Sequence, residues 1–219
     1  MSNYVVLDLE MCKVPKRERG HYRYSQETIQ IGAVLLDEQM NIVDKFITYV
    51  KPEYGYIDAF IKKLTGITEQ DTADAPNMER ALKMFIEWIP EGAKLVSWSE
   101  SDVRQIRHEL DSKKIEIERC EDLLSSCIDS QKLFSEKIHS AKCFNLTEAL
   151  NLADINYRDG AHDGLVDAYN TALLFAKMTI EEDMQLNPYY KRMLDDEEEG
   201  AFTLGSIFEK IDLSAITVA

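Results

Sequence analysis

The chain opens on Tyr4-Val5-Val6-Leu7-Asp8-Leu9-Glu10, an almost unbroken apolar run that closes on two carboxylates. Apolar runs of this length, rich in Val and Leu, suit a strand covered on both faces of a sheet. Two further strands are predicted at 28–36 and 42–50. The polar segment Asp37-Glu38-Gln39-Met40-Asn41 joins them at hairpin length and predicts an antiparallel pair. The pattern then turns helical. A helix is expected at about 57–64, followed by Thr65-Gly66-Ile67 and a short turn capped by Thr68. Asn77 is a good N-cap for the next helix, where Met78, Ala81, Leu82, Phe85, Ile86 and Ile89 repeat at helical spacing. Pro90-Glu91-Gly92 ends it, and Ala93–Ser97 reads as a short strand. Helices at about 102–111, 128–136, 145–152 and 163–178 complete the reading, with no internal repeat. Strands first, then strands alternating with helices, predict an α/β domain with a mixed sheet flanked by helices.

Against this background the placement of acids carries the chemistry. Successive strand residues point to opposite faces, so Asp8 and Glu10 point the same way. An ionised carboxylate buried without a partner is costly, so two at one strand end suggest a rim position with a cation, half of a metal site. Two solvated acids in a turn are the alternative. Asp102 follows the short strand in Ser97-Trp98-Ser99-Glu100-Ser101-Asp102 and fits either a metal ligand or a helix cap. The segment Ala161-His162-Asp163-Gly164-Leu165-Val166-Asp167 starts a helix with Asp167 one turn in and His162 just before it. Ala168, Ala172, Leu173 and Ala176 form that helix's packing side, so an inward Asp167 needs a partner.

Composition narrows the class. The 219 residues fit one domain with an appendage, divided as 1–180 and an acidic extension at 181–219. The net charge of −15 argues against a polyanionic substrate at first sight, but the extension alone carries −7 of it. In that extension Asp195-Asp196-Glu197-Glu198-Glu199 reads as a solvated link. Phe202, Leu204, Ile207, Phe208 and Ile211 make an amphipathic patch suited to packing on the domain, to a homodimer or to a protein partner. Cys12, Cys120, Cys127 and Cys143 have no C-x-x-C spacing, which gives zinc little support. No apolar stretch approaches the roughly 20 residues of a membrane span, and no signal-peptide pattern opens the chain. A cytoplasmic protein with reduced thiols and no membrane contact is expected.

Asp8-x-Glu10, then Asp102, then His162-x4-Asp167, in that order, resembles the DEDDh family of 3′-to-5′ exonucleases. Glu27-Thr28-Ile29-Gln30-Ile31-Gly32-Ala33-Val34, Val50-Lys51-Pro52, Leu64-Thr65-Gly66-Ile67-Thr68, Asp74-Ala75-Pro76 and Ser97-Trp98 are similar to its subgroup of histone-mRNA exonucleases and KapD-type proteins. The likeness covers about residues 4–178. Met11, Gln30 and Ser99 depart from the usual residues of that subgroup, while the four acids and the histidine are all kept.

The resemblance implies an RNase H-like fold with a mixed five-stranded sheet, and two Mg2+ or Mn2+ ions, hard cations that prefer oxygen ligands. In two-metal sites the ions lie ~3.5–4 Å apart and clamp the attacking and leaving oxygens. By the same resemblance Asp8 bridges them, Glu10 and Asp167 serve the nucleophile side, and Asp102 holds the second ion through water. His162 is the implied general base, a role that suits an unperturbed imidazole of pKa ~6.5. Met11 and Leu64 are the implied walls for the terminal nucleotide. Independently of the resemblance, Lys13, Arg17, Arg19 and Arg23, together with Lys16 and interleaved with His21, Tyr22 and Tyr24, are the best local candidate for gripping a strand, with a solvated loop as the alternative. The leading expectation is a metal-dependent exonuclease that removes 5′-mononucleotides from the 3′ end of single-stranded nucleic acid, RNA favoured. A DNA-trimming or proofreading enzyme and a regulatory binding protein on the same fold are the alternatives.

Overall fold

The computed structural model describes residues 3–157 and 162–192. Five strands form one sheet in the order β3-β2-β1-β4-β5: β1 Tyr4–Lys13, β2 Gln26–Leu36, β3 Ile42–Tyr49, β4 Lys94–Ser97 and β5 Ile128–Asp129. The pairs β1/β2 and β2/β3 are antiparallel, and β1/β4 and β4/β5 are parallel. The helices are α1 Ala59–Thr65, α2 Glu69–Thr72, α3 Met78–Trp88, α4 Glu100–Lys113, α5 Cys120–Ser125, α6 Ser130–Lys137, α7 Leu146–Leu152 and α8 Gly164–Ile180. The mixed sheet and flanking helices agree with the expected class. Three details differ. β1 runs to Lys13, beyond its apolar half, because its polar end still pairs with β2 at Gln26–Thr28. The segment starting at Ile128 is a two-residue strand before it becomes a helix, since Val96 and Ser97 offer an open edge. Helix α5 was not expected; three buried residues, Cys120, Leu123 and Leu124, at one-turn spacing hold it.

Strand alternation sorts β1 between two cores. Val5, Leu7 and Leu9 face α3, α4 and α5, where Leu82, Phe85 and Ile106 are buried. Val6 faces the other way, with Val34, Val96, Phe134, Leu150 and Phe175 under α6, α7 and α8. Asp8 and Glu10 continue the row that Val6 begins. The acids thus stand in the middle of β1, just past the stretch Tyr4–Leu7 that pairs with β4.

Helix ends are set locally. Asn77 and Asn145 each accept an N–H from the third residue of their helices, Arg80 and Glu148. Thr68 and Asp71 cap α2 reciprocally. After α8 the chain returns to α7, where the Asn187 N–H donates to Leu152 O at 2.8 Å. The acidic run at 195–199 and the apolar residues 202–211 lie outside the described residues.

A buried charged hub ties the start of β2 to α4. Lys113, 5% exposed, contacts Glu27 at 2.6 Å and Glu109 at 2.9 Å, both carboxylates fully buried. Glu27 also accepts the N–H groups of Glu53, Tyr54 and Gly55, and Glu109 accepts that of Thr28. Tyr22, expected in a substrate loop, is instead wholly buried here, stacked on Tyr54 with Lys113 over its ring.

One contact sets the position of α8. Gly32 lies opposite Asp8 in the β1/β2 ladder, and a Cβ there would come within 2.2 Å of the Gly164 carbonyl carbon and the Leu165 nitrogen. Both obstacles are backbone, so relief requires α8 to move off the sheet. Gly32→Ala is expected to cost about 1–3 kcal/mol, the usual penalty of overpacking. Urea unfolding measures this, and stability within 0.5 kcal/mol of the parent, an ordinary surface-mutation change, would show that α8 is not held by this contact.

Candidate active site

The site lies where the parallel pairing of β1 and β4 ends, with α8 over one side. Leu7 pairs with Ser97, so the chain leaving β4 enters α4 beside Asp8. Ser99, one of the departures from the resembled subgroup, caps α4 by accepting the Ser101 N–H. Asp102 is therefore not the cap; it is the third residue of the helix and accepts the Leu9 N–H at 3.2 Å. That bond docks α4 on β1 between the two acids of the strand.

The second departure also has a place. Gln30 is fully buried opposite Glu10, and its Oε1 accepts the Gly164 N–H at 2.7 Å. A neutral amide serves that N–H without adding another negative charge beside Glu10. Met11, the third, follows a β-bulge between Glu10 and Met11 and is half-buried against the α3/α4 core.

The start of α8 brings the remaining residues in. Asp163 caps the helix, accepting the N–H groups of Leu165 and Val166. His162 precedes it with a left-handed backbone (φ 64°) and an exposed ring. One ligand atom each from Glu10, His162 and Asp167 lie within 4.8 Å of one another. The Asp167 carboxylate is held from both sides: Oδ1 accepts the Tyr157 hydroxyl at 2.7 Å, and Oδ2 accepts the His162 N–H at 3.0 Å.

Electrostatics mark this cluster as short of positive charge. Burial raises the Asp8 carboxyl well above its usual range, helped by the charges of Asp102, Glu10 and Asp167. Burial and the charges of Asp167 and Asp163 push Glu10 up to about 8. Burial raises Asp102 as well, opposed by its bond from Leu9. Carboxylates disfavoured by desolvation and by one another are what a divalent cation relieves. The donor set, carboxylate oxygens with one imidazole, fits a hard cation such as Mg2+ or Mn2+.

The expected strand-binding residues are spread over the rim. Lys13 pairs with Asp58 at 2.8 Å and lies 5.0 Å over the Phe60 ring. Arg17 contacts Glu18, Arg23 contacts Asp111 at 2.8 Å, and Arg19 is exposed. Leu64 is half-buried one turn after Phe60 on α1. Sequence reasoning missed Tyr157, Phe60 and Tyr56. Phe60 and Tyr56 are 60% and 47% exposed, a state that no periodicity distinguishes from core. Tyr157 stands ten residues before Asp167 in an irregular segment and left no local signal.

A family model of exonucleases, RNase_T, matches residues 5–175. The chain is 32% identical over 178 residues to the DNA polymerase III PolC-type of Caldanaerobacter subterraneus subsp. tengcongensis, covering 81% of this chain and 12% of that protein. It is 29% identical over 202 residues to ERI1 exoribonuclease 2 of Danio rerio, covering 81% of this chain and 35% of that protein. It therefore corresponds to a minor part of either relative's length. The solved nuclease domain of 3′hExo, a DEDDh family member bound to rAMP, matches with a TM-score of 0.67 at 20% identity, over 85% of this chain and 96% of that one. With the match running from the first strand into the last helix of the sheet domain, the chain belongs to the RNase_T family of exonucleases and has their RNase H-like fold.

Proposed function

We propose that the chain is a divalent-metal-dependent 3′-to-5′ exonuclease that releases nucleoside 5′-monophosphates from single-stranded RNA. The observation that carries this is the convergence of Glu10, His162 and Asp167 within 4.8 Å, beside Asp8 and Asp102. The four acids would hold the cations, which supply Lewis-acid stabilisation of the charge that develops on the phosphoryl oxygens. His162 takes the proton of the attacking water; its exposed ring leaves a nitrogen accessible at the rim. Tyr157 and the backbone N–H of His162 fix the Asp167 carboxylate, so this ligand is oriented by one pair of hydrogen bonds. Met11 and Leu64 would flank the terminal nucleotide. Phe60 and Tyr56 give stacking surface next to Lys13. The ion pairs of Lys13, Arg17 and Arg23 are solvent-exposed and therefore weak, so phosphate can replace their carboxylate partners.

A second reading, trimming of DNA 3′ ends, is favoured by the likeness to a DNA polymerase. Digestion of 3′- and 5′-labelled RNA and DNA oligomers with and without chelator separates the two readings and tests the polarity. Asp8→Ala is expected to lower Mg2+-dependent mononucleotide release by about a thousandfold or more, several kcal/mol of transition-state charge stabilisation. Wild-type activity in that variant would show that the site is elsewhere.

Two further outcomes follow from the carboxylates. Asp8, Glu10 and Asp102 are raised in the folded protein, so it binds more protons than the unfolded chain between the ordinary carboxylate range and the raised values. Stability from these groups is full below about 4.5 and is lost as pH rises through about 8, the value for Glu10. In chelator, urea unfolding should therefore show a fall of roughly 2–4 kcal/mol between pH 5 and 8. Glu10→Gln should flatten that fall and Mn2+ should reverse it; a profile that rises with pH in chelator would refute the assignment. Tyr157→Phe should weaken Mn2+ binding about tenfold, read by calorimetry, with the melting temperature little changed. Unaltered Mn2+ affinity would limit Tyr157 to a packing role.

A further inference from the structure

We infer that the cleft between the 22–26 segment and α4 is a second nucleotide subsite, with Arg104 as its phosphate contact. This rests on the proposed exonuclease reading and extends it to the nucleotides that follow the terminal one into the protein's grip.

The cleft has a volume of about 300 Å³ and is lined by Met11, Tyr24, Gln26, Arg104, Gln105 and His108. That volume is at the small end of ligand-binding clefts. It borders the acid cluster through Ser101, which lines the cleft and whose side chain hydrogen-bonds Asp102. The floor is rigid. Gln105 is buried, and its amide donates to Gln26 O at 3.1 Å and to Glu109 at 3.1 Å. The far wall is aromatic. Tyr24 and His108 lie parallel, 8° apart with ring centroids at 3.6 Å, and Arg23 braces the pair by bonding both the Tyr24 hydroxyl and Asp111. Such a preformed aromatic wall suits a nucleobase, since every base presents a π-face.

Arg104 carries the positive charge of this cleft, next to His108. It is exposed and makes no hydrogen bond or ion pair among the described residues, in a chain of net charge −15 where Lys13, Arg17, Arg23, Arg107 and Lys113 all have carboxylate partners. A guanidinium with no carboxylate partner, at the mouth of a cleft walled by aromatics, is placed for a phosphodiester. A strand whose terminal nucleotide meets Met11 can thus continue across α4, with one phosphate on Arg104 and one base against the Tyr24–His108 wall.

The test compares wild type with Arg104→Gln on three substrates: a p-nitrophenyl ester of a nucleoside 5′-monophosphate, a dinucleotide and a labelled twelve-nucleotide strand. The expected result is unchanged turnover of the ester, because it does not reach the cleft. For the twelve-nucleotide strand KM should rise about tenfold with kcat nearly constant, and the slope of log affinity against log salt should fall by about 0.7, the loss of one single-strand phosphate contact. His108→Ala should raise the same KM without changing the salt slope. An unaltered KM and salt slope in Arg104→Gln, with normal strand digestion by wild type, would overturn the subsite alone. Equal losses on the ester and the strand would also overturn it, by making Arg104 part of the reacting centre. Failure of wild type to digest any strand would overturn both the subsite and the exonuclease reading.

Discussion

Desolvation of Asp8, Glu10 and Asp102, crowded together beside Asp167, is the constraint to which the rest of the molecule answers. Left to relax, these groups would separate or turn toward water. The backbone prevents that. Asp8 and Glu10 are fixed by the alternation of a fully paired strand, Asp102 by the Leu9 N–H, and Asp167 by a helix seated over Gly32. The protein holds an unfavourable arrangement of carboxylates of the kind that a cation relieves, and the backbone keeps it in place.

Holding such a cluster requires stiffness nearby, and the hub around Lys113 supplies it. A lysine shared by two buried glutamates is weak evidence for net stability, since desolvation offsets much of the attraction. Its geometry says more. Glu27 fixes the segment leading to α1, Glu109 and Lys113 belong to α4, and Thr28 belongs to the strand between them. One network therefore fixes the helix that carries Asp102 relative to the helix that carries Phe60 and Leu64.

Much of this was legible in the sequence. Alternation placed Asp8 and Glu10 on one face, apolar periodicity found α3 and α8, and the caps Thr68 and Asn77 behave as their residue types suggest. What escaped was set by distance in the chain. Asp102 reads equally well as a cap or a ligand, and only the contact with Leu9, 93 residues away, decides it. Tyr22 sits among basic residues like its neighbours but is buried, because Glu27 of β2 and Glu109 and Lys113 of α4 gather around it from distant parts of the chain. Gln30 looked like a departure from pattern, and its reason appeared only when Gly164 arrived opposite it. Short elements such as β5 and α5 have too few residues for periodicity to register.

Helix α4 carries Asp102 near one end and Lys113 at the other. At 1.5 Å per residue the two are about 16 Å apart, so the helix acts as a lever pivoted in the hub. A tilt of about 4° at Lys113 displaces Asp102 by about 1 Å, a misplacement on the scale that costs an enzyme roughly a hundredfold. The Asp102 carboxylate is thus positioned from the opposite end of its helix. Drift at Lys113 would be felt in the acid cluster before it was felt in the fold.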